Sequence, residues 1–382
     1  MIIPLRRAWH RVTKSAPDNG LHFDRPLLIF QSDDWGRVGV RDHEGRDQLQ
    51  AAGLQLGEKP YDFYTLETAE DLEALRQLFA SHRDSVGRNP SIVMNFIMAN
   101  VDFDRAPSAS KDIPLLPLTS GLPPQWQRPG LFDAFQKGIQ QGVFYPALHG
   151  LTHFCPNAIT RELKANSEHA QLLRKLWQFQ TPYIYWRMPW IGYEYWDAEL
   201  PADRRFLSAS EQRGTIQRAA DVYQALFHAN PFSACAPGYR ANDDTRAAWF
   251  DSGIRVAQNG PGDRQAPFLD ALGMLHTFRT IEMEPATSPC DLEALLDQAD
   301  ACFAQGLPAV VSIHSINFHS TLKDFRTPTL ALLDRFLAAL EKKWTNLLYI
   351  HDADLYQIAT KGSYHLRDQK VEVGVAHGAK PA

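Results

Sequence analysis

Short apolar, β-branched runs alternate along the chain with longer segments whose apolar residues recur every three or four positions. The runs are "PLLIFQ" (26–31), "SIVMNFIM" (91–98), "FYPALH" (144–149), "FSACA" (232–236), "RVAQ" (255–258), "LHTFRTI" (275–281), "PAVVSIH" (308–314) and "NLLYIH" (346–351). Their length and composition predict buried strands. Between them, Leu72, Leu75 and Phe79 share one helical face, with Thr68 and Asp71 in capping-box spacing ahead. Leu292, Leu295, Ala299 and Phe303 form a second such face, and Leu330, Leu333, Leu337 and Leu340 a third. A further helix is predicted to start at Ser208, with Glu211 three residues on, and to carry Ile216, Ala220, Tyr223 and Phe227 along one side.

Strands that alternate with helices pair in parallel through crossover units. Seven or eight such units predict an α/β fold closed as a (β/α) barrel, with an open doubly wound sheet as the alternative. Two stretches break the rhythm: a Pro-rich segment at 105–130, read as a loop, and an aromatic-rich insertion at 155–205. Alternation resumes on both sides of the insertion, so residues 1–382 read as one domain with its core at about 26–358.

The composition, 44% hydrophobic and 22% charged, is that of a globular protein. A net charge of −5 with mixed signs argues against nucleic acid or an anionic membrane as partner. No apolar run is long enough to span a bilayer, and the basic start is followed by no apolar stretch of a secretory signal. The four cysteines, at 155, 235, 290 and 302, have neither CxxC spacing nor disulfide-scaffold density, so a cytoplasmic protein is expected.

In a parallel barrel, chemistry gathers at the C-terminal ends of the strands. Those ends hold Asp33 and Asp34 in "LLIFQSDDWG", His149 and His153 in "HGLTH", the segment "APGYR" (236–240), and His314. Taken singly, each has an ordinary explanation as a loop acid, a loop histidine or a core histidine. Taken together, one Asp and two His make a three-ligand set for Zn²⁺ or a similar ion. An H-x3-H spacing places both imidazoles on one side if the turn is helical.

The order D-D, H-x3-H, a Pro/Gly/aromatic/Arg segment and a late-strand His resembles the polysaccharide deacetylase superfamily of metal-dependent carbohydrate esterases. "DDWG", "YDFYTLETAEDLEALRQLF", "GLFDAFQKGIQQGVFYPALHG" and "PAVVSIHSINF" are similar to a bacterial branch of it. The resemblance implies a distorted (β/α) barrel of about seven strands. It implies Asp33 as general base, Asp34, His149 and His153 as metal ligands, and His314 as the acid that protonates the leaving amine. Asp33 and Asp34, as neighbours in an extended chain, would face the water and the metal respectively. His314 is expected across the metal from Asp33, with a carboxylate to offset its burial; Asp263 is the one suggested, and His319 or His351 would replace His314 if it lay elsewhere.

The chain departs from the family pattern at Cys235, where an arginine is usual. Either Arg240 or Asp243 is then expected to orient Asp33, or that supporting interaction is missing. The implied substrate is an N-acetylated sugar or glycan precursor, with Trp177, Tyr183, Tyr185, Trp186, Trp190, Tyr193, Tyr195 and Trp196 of the insertion either stacking on sugar rings or forming a satellite core. Alternatives are hydrolysis of another linear amide or ureide, and glycan or partner binding without catalysis.

Overall fold

The computed structural model describes residues 19–105, 113–181, 188, 190–262 and 265–378. Each of the eight apolar runs contains strand: β1 (Leu27–Trp35), β2 (Ile92–Phe96), β3 (Phe144–Leu148), β4 (Ser233–Cys235), β5 (Val256–Asn259), β6 (Leu275–Phe278), β7 (Ile281–Glu282), β8 (Ala309–Ser312) and β9 (Leu348–Tyr349). The run 275–281 supplies two of them, because its hydrogen-bonding partner changes midway. Strand β6 pairs in parallel with β5, and β7 in parallel with β8. At the switch, the Arg279 amide donates to the Asn259 carbonyl and the Thr280 amide to that of Val310. With β6 and β7 taken as one position, seven positions follow each other as β1-β2-β3-β4-β5-β6/β7-β8, and β8 pairs back onto β1. The path is thus a distorted α/β barrel whose ladder breaks at 279–280. Strand β9 pairs with the start of β1.

Period-two alternation decides what fills the interior. At the N-terminal ends of the strands it is apolar: Leu27, Ile29, Val93, Ala147, Val256, Leu275 and Val310 cluster with Leu355 and Ile358 of the helix Asp352–Lys361. Further along, Gln31, Asn95, Gln258 and Thr277 form a buried polar layer. Asn95 and Gln258 exchange amide bonds at 2.7 and 2.9 Å, while Gln31 and Gln258 each donate to Asp352 at 2.8 Å. The next inward positions are Asp33, Cys235 and Arg279, so polarity rises towards the C-terminal mouth. The opposite faces, for example Leu28, Phe30 and Met94, pack under the helices. Among these, Ala69–Ser81 begins with the Thr68–Asp71 capping box, and Ala209–Phe227 with the Ser208–Glu211 box.

The Pro-rich segment is not all loop. Leu115–Pro117 pairs antiparallel with Ala99–Val101 beside the mouth. The insertion starts with helices Pro156–Ala165 and Glu168–Gln178. Trp190 and Tyr195 are fully buried in the main hydrophobic cluster rather than in a satellite core, while Tyr193 and Trp196 are half-buried. Tyr183, Tyr185 and Trp186 lie outside the described residues. Among the described residues, no helix is long and apolar enough to cross a membrane.

Candidate functional site

Asp33 and Asp34 are separated by a bulge rather than by simple alternation. The β1–β2 register shifts between Ser32 and Trp35, and Asp34 has φ of 76°. A left-handed conformation at a non-glycine residue costs roughly 1–3 kcal/mol, and Asp tolerates it better than most. This strained step replaces the extended chain expected from the sequence. It turns the two buried carboxylates to different partners: Asp34 to His149 and His153, Asp33 to Arg279 and His314.

Asp34, His149 and His153 converge, with their ligand atoms all within 4.8 Å of one another. The histidines meet through a loop rather than a helical turn, because Gly150 sits at φ 103°. The His149 Nδ1–H donates to the Cys235 carbonyl at 2.9 Å, which leaves the lone pair on Nε2. That Nε2 lies 3.7 Å from Asp34 Oδ1, and the Nε2 of His153 lies 3.1 Å from the same oxygen. Two ligands of a tetrahedral zinc ion are about 3.3 Å apart at ordinary bond lengths. Arg37 holds the other oxygen, Oδ2, at 3.0 Å, while the buried Oδ1 has no hydrogen-bond partner. Burial lowers the pKa of both imidazoles, that of His153 to about 4 with help from the Arg37 charge, so both are neutral at physiological pH. One carboxylate oxygen without a partner and two neutral imidazoles fit a divalent cation.

A second set, Asp33, His149 and Cys235, is also close enough for a metal. It fits a cation worse, because the Arg279 guanidinium already lies 2.5 Å from Asp33 and burial holds the Cys235 thiol protonated.

Asp33 Oδ1 accepts from Arg279 at 2.5 Å and from Asn95 at 2.7 Å. Burial alone would raise its pKa, but Arg279, then the neighbouring histidines, outweigh this and hold the carboxyl well below its usual range. The arginine beside Asp33 is therefore Arg279, from the β6–β7 junction across the barrel. Arg240 instead lies over the Trp196 and Tyr193 rings, at 4.5 and 5.8 Å, and the exposed Asp243 pairs with Arg246. Both expectations for the orienting group are corrected by the inward alternation of Leu275, Thr277 and Arg279. Arg279 also donates to Tyr239 and Ser312, at 2.8 and 3.0 Å. Arg279→Gln leaves Asp33 buried without its cation and is expected to cost about 3–5 kcal/mol in chemical denaturation. In an Asp33→Asn background the same change is expected to cost much less; equal costs would mean that the pair is not coupled.

His314 follows β8 with its side chain 25% exposed, and its Nε2 lies 3.8 Å from Asp33 Oδ2. It stands beside Asp33 rather than on the far side of the ligand cluster. Its carboxylate partner is Glu284, which accepts from Nδ1 at 2.6 Å and from the His314 amide at 3.1 Å. Asn317 fixes the other Glu284 oxygen at 2.6 Å. Burial works to lower the imidazole pKa, but Glu284 and then Asp33 raise it to about 9. Asp263 lies outside the described residues. Neither alternative histidine joins the cluster: His319 faces Glu67 at 3.6 Å, and His351 stacks on Tyr145 near the opposite end of the barrel.

No family model and no curated protein matches the sequence. Among solved structures, the chain is similar to a putative polysaccharide deacetylase from Mycobacterium smegmatis, at 10% identity and TM-score 0.48 over 91% of this chain and 92% of that one. It is similar to a Puue allantoinase at 13% identity and TM-score 0.48, covering 90% and 92% of the two chains. A family 4 carbohydrate esterase from Streptomyces lividans in complex with acetate matches at 12% identity and TM-score 0.33, over 84% and 90%. At these values no chemistry transfers from those proteins, and the functional reading rests on the side chains described above.

Proposed function

We propose that the chain is a metal-dependent hydrolase that removes the acetyl group from an N-acetylated sugar or glycan precursor. One observation carries the reading. A ligand set with a partnerless carboxylate oxygen adjoins an acid–base pair, Asp33 and His314, whose facing atoms are 3.8 Å apart. Asp34, His149 and His153 would hold the ion, which supplies Lewis acidity toward the acyl oxygen and acidifies water at the site. Asp33 accepts the proton of the attacking water. Arg279 and Asn95 both occupy its Oδ1, so Oδ2, which accepts only a long bond from the Cys235 thiol at 3.8 Å, is the oxygen that does so. His314 then gives its Nε2 proton to the departing nitrogen, while Glu284 holds Nδ1 and stabilises the imidazolium.

The test is acetate release from a panel of N-acetylated sugars and oligosaccharides by the zinc-loaded chain, with and without chelator. Chelator-sensitive release from at least one member is expected. Turnover of a linear amide or ureide with none of the sugars would move the substrate to that class. Equal turnover with and without chelator would remove the metal from the reading.

The pH dependence has a defined sign. His314 must carry its proton, so the rate falls as pH rises through its pKa, about 9 before the ion binds. A dication nearby disfavours the imidazolium, so the alkaline limb of kcat/KM is expected below that value. Asp33 is ionised far below neutrality and sets no limb above pH 5. A rate that climbs steadily through pH 10 would exclude His314 as the acid.

A further inference from the structure

We propose that Glu194, from the insertion, is a positioning residue that fixes the loop 149–153 in its metal-binding shape. The inference rests on the metal-dependent reading above. Because Gly150 breaks any helical turn, the loop amides have no partners within the loop itself and must be satisfied from outside. The His149 amide donates to the Phe96 carbonyl at 2.8 Å. The Gly150 and Leu151 carbonyls accept from Met98 and Ala99 at 3.1 and 2.7 Å. Of the three amides between the histidines, those of Leu151 and Thr152 go to the two oxygens of Glu194, at 3.2 and 2.6 Å. The Thr152 hydroxyl adds a third bond at 3.0 Å.

Three features tie this contact to the shape of the loop that carries the two histidines. Glu194 is 0% exposed, and its segment is strapped to the loop: the Gly192 amide donates to the His153 carbonyl at 3.0 Å, and Phe154 bridges Ile191. A Cβ on Gly150 would lie 2.3 Å from Glu194 Oε2, so glycine there both permits the positive φ and leaves room for the carboxylate. Only a group with two acceptor oxygens satisfies both amides, since a carboxamide would turn an N–H₂ towards one N–H. Glu194 thus holds both histidines at fixed separation without touching the ion.

The experiment uses the full chain and zinc, with affinity from chelator competition and folding of the metal-free protein from thermal melting. Loss of a partner that orients metal ligands typically weakens metal binding 10–100-fold. Glu194→Gln is expected to weaken zinc by about that factor while the metal-free protein still melts cooperatively. Glu194→Asp, which keeps the carboxylate on a shorter stem, is expected between the parent and Glu194→Gln. Zinc affinity unchanged in Glu194→Gln, whatever its melting temperature, would overturn the assignment and leave only a structural role. The same titration on Asp34→Asn separates the two claims. If the parent binds zinc no more tightly than Asp34→Asn, the metal reading falls and this inference with it. If Asp34→Asn alone is impaired, only the role of Glu194 is lost.

Discussion

Asp33→Asn is expected to bind zinc nearly as the parent does and to hydrolyse the acetylated substrate about 10²–10⁴-fold more slowly, the range for losing a general base. The asparagine keeps an acceptor towards Arg279 and Asn95 but cannot take a proton. Asp34, not Asp33, offers the partnerless oxygen towards His149 and His153, so ligation survives the change. Steady-state kinetics with a parallel zinc titration reads both effects. Parental activity in Asp33→Asn would remove the base assignment. A simultaneous loss of zinc would place Asp33 among the ligands, as in the set with His149 and Cys235.

The second large effect concerns His314. His314→Ala is expected to slow amide hydrolysis by a similar factor and to slow an activated aryl ester far less, because that leaving group departs without a proton. Glu284→Gln probes the same step from behind. Glu284 is the main group that raises the His314 pKa, so its loss moves the alkaline limb of the rate profile to lower pH. Equal losses on amide and ester in His314→Ala would indicate oxyanion stabilisation instead. An unmoved limb in Glu284→Gln would disconnect the pair.

The barrel was legible because its strands are buried on both faces and therefore read as unbroken apolar runs, while its helices announce themselves through caps at Thr68 and Ser208. The cluster of Asp34, His149 and His153 and the neighbouring Asp33 and His314 were legible as polar residues that interrupt or end those runs. What the sequence reading misplaced are contacts across the barrel mouth. Arg240 follows β4 in the position that motif order suggests, whereas Arg279 reaches Asp33 because it continues the inward series Leu275, Thr277, Arg279. That alternation was present in "LHTFRTI" and would have found it. Glu284 had no comparable signal: it lies two residues past the end of β7, and strand alternation would put it on the same outward face as the exposed Glu282. Glu194 was hidden among aromatic residues whose pattern drew the reading towards sugar stacking. The helical turn expected for H-x3-H failed at Gly150, whose backbone suits a loop held from both sides.

The central claim is that one divalent ion binds to Asp34, His149 and His153. It is tested most directly by the stoichiometry and affinity of zinc for the refolded, chelator-stripped chain beside Asp34→Asn and the His149→Ala, His153→Ala double variant. The arrangement predicts one tightly bound zinc per parent chain and a large loss of affinity in both variants. Zinc bound equally well by all three proteins, or by none, would contradict it.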